Sequence, residues 1–121
     1  MKKIVFILFF YLVACDVTDD NNGVVCTQQF VYGLNITVKD TNTNSIITDN
    51  IIVMAKDGNY EETLMTIEGI DSFFGAGERP GNYVIIVTSD NYQTYVSERI
   101  TVDADKCHVI PESVEILLQP N

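Results

Sequence analysis

The chain has 121 residues, with seven Lys and Arg against seventeen Asp and Glu, a formal net charge of −10. That length bounds the protein to one small domain. The acidic balance argues against nucleic acid as a partner, because such a surface repels phosphate backbones.

The chain opens on Met1-Lys2-Lys3 and then runs uncharged from Ile4 to Val13. A basic start followed by a short apolar core is the pattern of a secretory signal peptide. The run is too short for a transmembrane helix, which needs roughly 20 apolar residues, and Asp16, Asp19 and Asp20 follow at once. Leu12-Val13-Ala14-Cys15 resembles the bacterial lipobox. The resemblance implies cleavage after Ala14, diacylation of the Cys15 thiol, and a mature chain of 107 residues tethered to a membrane. Acyl chains contribute about 0.8 kcal/mol per buried methylene, so two or more anchor stably. Without Lys2 and Lys3 the mature chain has five basic residues against seventeen acidic, a net charge of −12, so lipid rather than charge must hold it on an anionic surface. The expected location is the cell envelope of a Gram-negative bacterium, lipid-anchored and facing periplasm or medium.

Residues 15–25 form the lipidated cysteine and a polar, acidic tether without periodicity. Asp16-Val-Thr-Asp-Asp20 resembles the acidic stretch that sends some lipoproteins to the cell surface, whereas Asp16 directly after the cysteine would, under the enteric rule, hold the protein at the inner membrane. Both destinations stay open. Cys26 and Cys107 then remain at the two ends of the domain, in an oxidising compartment where pairing is expected. Such a bridge closes a loop of about 80 residues, stabilises by roughly 4 to 5 kcal/mol in the chain-entropy model, and implies that the first and last strands lie side by side.

From residue 26 to residue 121 only strand signals are present. Phe30, Tyr32, Leu34, Ile36 and Val38 alternate with Val31, Gly33, Asn35 and Thr37, the period of a half-buried strand. Asp40 to Ser45 is turn chemistry. Ile46–Ala55 is a second strand region with a bend at Asp49-Asn50, and Asp57-Gly58 is a hairpin signal. Tyr60–Ile67 and Ser72–Glu78 are the third and fourth strands. Arg79-Pro80-Gly81-Asn82 places Pro and Gly where a type II turn wants them. Tyr83–Thr88 is apolar enough for a strand buried on both faces, and Tyr92–Val102 and Ser113–Gln119 complete the set. Seven short strands with regular turns predict an all-β fold, an antiparallel seven-stranded β-sandwich.

The stretch from about Asn35 to Gln119 resembles the carboxypeptidase regulatory-like domain, a transthyretin-like sandwich. The matching segments are Ile36-Thr-Val-Lys-Asp-Thr-Asn-Thr43, Ile52-Val-Met-Ala-Lys-Asp-Gly-Asn-Tyr60, Gly77-Glu-Arg-Pro-Gly-Asn-Tyr-Val-Ile-Ile-Val87, Asp90-Asn-Tyr-Gln-Thr-Tyr95 and Asp105-Lys-Cys-His-Val109. Asn91 stands where such domains usually have Gly before the Tyr. The resemblance implies a fold and an accessory role, not an activity. Hydroxyisourate hydrolases share the transthyretin-like fold, but need several His and Arg residues and a C-terminal Tyr-Arg-Gly-Ser, whereas this chain has one His and ends Leu-Gln-Pro-Asn.

Candidate chemistry is sparse. His108 is the sole histidine, and on a strand it would face away from Cys107, so neither a zinc site nor a His-based triad is expected. Glu61, Glu62, Glu68 and Asp71 are read as solvated acids rather than a glycosidase pair, and Gly75-Ala-Gly77 lacks the third glycine and the helix of a phosphate loop. Asp40, Asn42 and Asn44, or Asp103 and Asp105, are turn formers without the twelve-residue calcium pattern. No catalytic residue, metal or cofactor is expected. Among Tyr60, Tyr83, Tyr92 and Tyr95, most are expected to pack at the sandwich edges. Tyr92 and Tyr95 sit three apart on a strand, so one is expected to face outward, and these two are the candidate ligand contacts. Two functions follow as expectations. The first is a non-enzymatic module binding an envelope protein through an edge strand or loop tips. The second is a glycan-binding lipoprotein using exposed Tyr.

Overall fold

A computed structural model describes residues 25–121. The leader, Cys15 and the tether up to residue 24 lie outside the described residues. Strand β1 is Tyr32–Asp40, and the expected alternation holds where Leu34, Ile36 and Val38 are fully buried. It ends in a turn that Asp40 closes, with Asn44 at φ 62°. Ile46 bridges back to Lys39, the chain bends at Asn50 with φ 60°, and β2 runs Ile51–Asp57. Gly58, at φ 60°, leads the two-residue loop to β3, Tyr60–Thr63. Then come β4, Met65–Ile67, and β5, Ile70–Gly77, joined through Gly69 at φ 84°. Beyond them lie β6, Gly81–Ser89, β7, Tyr95–Val96, β8, Ile100–Val102, and β9, Glu112–Leu118.

The strands form two sheets. One has the order β4-β5-β1-β9; the other has the order β3-β2-β6-β7, with β8 also paired to β6. The fold is all-β, as expected, but two finer expectations need correction. There are nine strands, not seven, because the run 60–67 splits into β3 and β4 and the run 92–102 into β7 and β8. The pairing is also not wholly antiparallel: β1 and β9 lie side by side in parallel, from Leu34 against Glu112 to Asp40 against Leu118. Leu64 explains the first split. Its N–H still donates to Val53 of β2 at 2.7 Å, its side chain is only 2% exposed, and the next residue, Met65, pairs with Phe74 of β5 in the other sheet.

The expected type II turn at Pro80-Gly81 is absent, since Gly81 does not take a positive φ. The reversal falls earlier, with Ala76 at φ 52°, Glu78 at φ 49° and the Arg79 N–H bonded to the Ala76 carbonyl at 3.2 Å. Gly81 is needed for close approach instead, because a Cβ there would come within 2.4 Å of Asp57 Oδ2. The core between the sheets holds Leu34, Ile36 and Ile116 from one and Val53, Ile85 and Val87 from the other, all at 0% exposure. Each such side chain contributes about 1.5 to 3 kcal/mol relative to exposure. Val84 and Ile86 are only half-buried, so β6 is covered on one face rather than on both.

Candidate functional site

Cys26 and Cys107 are joined in a disulfide, with Cα atoms 5.2 Å apart. Neither lies on a strand. Cys107 and His108 sit in a tight loop between β8 and β9, where Asp105 Oδ1 accepts the N–H groups of both, at 2.8 and 2.9 Å. This corrects the expectation that the two residues occupy opposite faces of a strand. Those two N–H bonds, His108 first, hold the Asp105 carboxyl below its ordinary value.

The disulfide is flanked by a polar chain that the sequence reading missed. Thr27 Oγ1 lies 3.0 Å from His108 Nε2, and His108 Nδ1 lies 2.6 Å from Glu78 Oε2. Glu78 also accepts the Val31 N–H at 3.0 Å and the Val109 N–H at 3.2 Å. Burial pushes its carboxyl up, but the bonds from His108, Val109 and Val31 outweigh that and keep it below the ordinary carboxylate value. Hydroxyl, imidazole and carboxylate follow one another as in a nucleophilic triad. What they do here is fasten three segments, namely residues 26–31, the turn at Glu78 and the loop 103–110. The three side chains line an open groove of about 440 Å³, together with Gln28, Gln29, Phe30 and Pro80. The one advance signal was the Asp105-x-Cys-His spacing, an Asx turn that aims His108 away from its neighbours.

Tyr92 and Tyr95 are both half-buried and pack against the core; neither points freely outward. Tyr92 lies off the strands, bridging Pro120, and its hydroxyl donates to Asp40 Oδ2 at 2.7 Å. That bond, with burial second, raises the Tyr92 hydroxyl above its ordinary pKa. The same bond is the largest of those holding the Asp40 carboxyl down. Asp40 Oδ1 in turn accepts the N–H groups of Asn42 and Thr43 at 2.7 and 3.0 Å. Tyr83 is fully buried, and its hydroxyl meets Arg79, whose guanidinium lies 3.7 Å from the Tyr60 ring centroid. Glu62 accepts the Tyr60 hydroxyl and the Ala76 N–H, while Glu61 pairs with Lys56 at 3.3 Å. These tyrosines and acids are thus engaged in packing and turn closure. Among the described residues, no group of three or more His, Cys, Asp or Glu is placed to hold a metal ion.

Three further aromatic rings lie together, the exposed Phe30 and Tyr32 and the half-buried Phe74. The alternation of β1 breaks at Gly33, which is buried next to Leu34 because Val102 packs on its bare Cα; a Cβ there would lie 2.7 Å from Val102 Cγ1. Ahead of that break Phe30 and Tyr32 remain 60% and 37% exposed. No family model matches the sequence, and no curated protein matches it.

Proposed function

We propose that the chain is an envelope lipoprotein, anchored through Cys15, whose all-β domain is a non-enzymatic accessory module of the carboxypeptidase regulatory-like, transthyretin-like kind. It holds an envelope protein by strand addition. The observation that carries this reading is β9. Three of the four sheet edges are blunted: β3 has four residues, β4 has three with a register shift, and β7 has two. Short and irregular edges are how folded proteins prevent unwanted pairing. β9 is a seven-residue edge held in register by β1, and no strand among the described residues pairs with its other side. Leu117, 48% exposed, and Ile110, 47% exposed, flank its ends. A long, regular edge of this type offers a partner main-chain hydrogen bonds and side-chain pockets.

The test is a photo-crosslinking residue at Leu117, and a control at Ile52 on the other sheet, in the full chain within membranes. A single protein captured stoichiometrically from Leu117 and not from Ile52 is the expected result. Equal capture from both positions, or a partner retained unchanged by Leu117→Lys, would sink the edge-strand reading. Release of Cys15→Ser into the soluble fraction is the expected outcome for the anchor.

A further inference from the structure

The four-stranded sheet turns its second face away from the core, and that face carries aromatic side chains next to polar ones. Phe30 and Tyr32 stack edge to face with centroids 5.1 Å apart, and Tyr32 lies 5.7 Å from Phe74. Met65, the cross-strand neighbour of Phe74, is 71% exposed. The rings are held in place before any ligand arrives. The tip of the Phe30 ring sits over Gly77, where a Cβ would come within 2.1 Å of its Cζ. An exposed aromatic strip marks a binding surface rather than a stability device, and rings already fixed cost little further ordering.

The strip runs directly into hydrogen-bonding side chains. The register sets Asn35 beside Phe74 and Ser113 beside Asn35 on the same face. These two open onto a hollow of about 480 Å³ that also contains Thr37, Lys39 and Glu115. Aromatic faces next to an amide and a hydroxyl suit a ligand with apolar C–H faces and a rim of hydroxyls. Charge narrows the class. Lys39 is already paired with Glu115, and the mature chain is strongly acidic, so anionic ligands are repelled.

We propose that this face binds a neutral oligosaccharide, with Phe30, Tyr32 and Phe74 stacking on sugar rings and Asn35 and Ser113 bonding to hydroxyls. The site uses the face of the sheet, not the β9 edge, so it goes beyond the protein-binding reading and stands or falls separately. It also replaces Tyr92 and Tyr95, whose rings are taken up by the core, as the seat of any glycan recognition.

The experiment is a titration of the full lipidated chain, in detergent micelles, against a neutral glycan array that includes cellohexaose, mannohexaose and xylohexaose. A galacturonic acid oligomer is the charged control. At least one neutral glycan binds and the charged oligomer does not. Tyr32→Ala and Phe74→Ala each weaken binding by about tenfold or more at an unchanged melting midpoint. Should Phe74→Ala unfold, Tyr32→Ala and Asn35→Ala give the same reading from residues nearer the surface. Failure of every neutral glycan to bind, equal binding of the charged oligomer, or unchanged affinity in Tyr32→Ala and Asn35→Ala overturns the proposal. Stoichiometric crosslinking of a protein at Tyr32 without glycan binding also overturns it.

Discussion

Asp40 shows how one side chain can close a turn and tie down a distant segment. Its Oδ1 takes two backbone N–H groups of its own turn and its Oδ2 takes the Tyr92 hydroxyl. Because the Tyr92 bond is the largest of those that lower its pKa, Tyr92→Phe is expected to move the carboxyl back up toward its ordinary value of 3.8, read by NMR titration. The sign for stability follows. A carboxyl whose folded pKa is depressed contributes stability above its unfolded value, and that stability is lost as pH falls through the folded value. The gap in melting midpoint between wild type and Tyr92→Phe should therefore be full above about pH 5 and narrow as the pH drops below the ordinary Asp range. A gap that stays constant across the acid range would show that the Asp40 charge contributes nothing through this bond. The turn itself was legible from Asp40-Thr-Asn-Thr-Asn-Ser45, since short polar side chains cap their own backbone. The Tyr92 partner, 52 residues away, was not.

Among the elements, the passage from β3 to β4 is one of four places where the chain changes sheet, and the one made within a single strand-like run. Residues 60–67 have strand propensity throughout, so their sequence pattern does not reveal that the segment leaves one sheet for the other at Leu64. That switch depends on which edges β2 and β5 leave open, a long-range matter. Leu64 is 2% exposed at the crossing, whereas its neighbour Met65 is 71% exposed. Leu64→Ala is expected to cost about 2 to 5 kcal/mol through the cavity it leaves, and Met65→Ala to stay within about 0.5 kcal/mol, both read from urea unfolding. Equal small losses would mean that Leu64 does not bind the sheets together. β6 follows the same logic. Its run Tyr83-Val-Ile-Ile-Val-Thr88 predicts burial on both faces, but only Tyr83, Ile85 and Val87 meet the opposite sheet.

For the molecule as a whole, the disulfide ties the entry segment to the loop before β9, and the parallel β1–β9 pair sets the first and last strands side by side. The last residues therefore lie at the opposite end, by Asp40 and Tyr92. The bridge spans 81 residues, and reducing it, or Cys26→Ser with Cys107→Ser, should cost about 2 to 5 kcal/mol of unfolding free energy. A loss under about 1 kcal/mol would mean that the bridge restrains only residues 26–31 and not the unfolded chain at large. The Thr27–His108–Glu78 chain beside it holds the same entry segment, at the end that carries the groove and Phe30.

The sequence by itself determined the all-β class, the turns at residues 40–45 and at Asp57-Gly58, the core stripe Leu34, Ile36 and Val38, and the expectation that Cys26 meets Cys107. All of these rest on local periodicity, local turn chemistry or the arithmetic of two remaining thiols. It also carried the resemblance of Leu12-Val13-Ala14-Cys15 to a lipobox, which lies outside the described residues. Tertiary structure alone decided the sheet that each strand joins, the parallel pairing of β1 with β9, the inward fate of Tyr92 and Tyr95, and the outward turn of Phe30 and Tyr32. In each case the outcome depends on what packs from far along the chain: Pro120 and Asp40 against Tyr92, Val102 against Gly33, Phe30 against Gly77. A period of two sorts residues onto two faces, but only the partner brought by the fold says which face meets water.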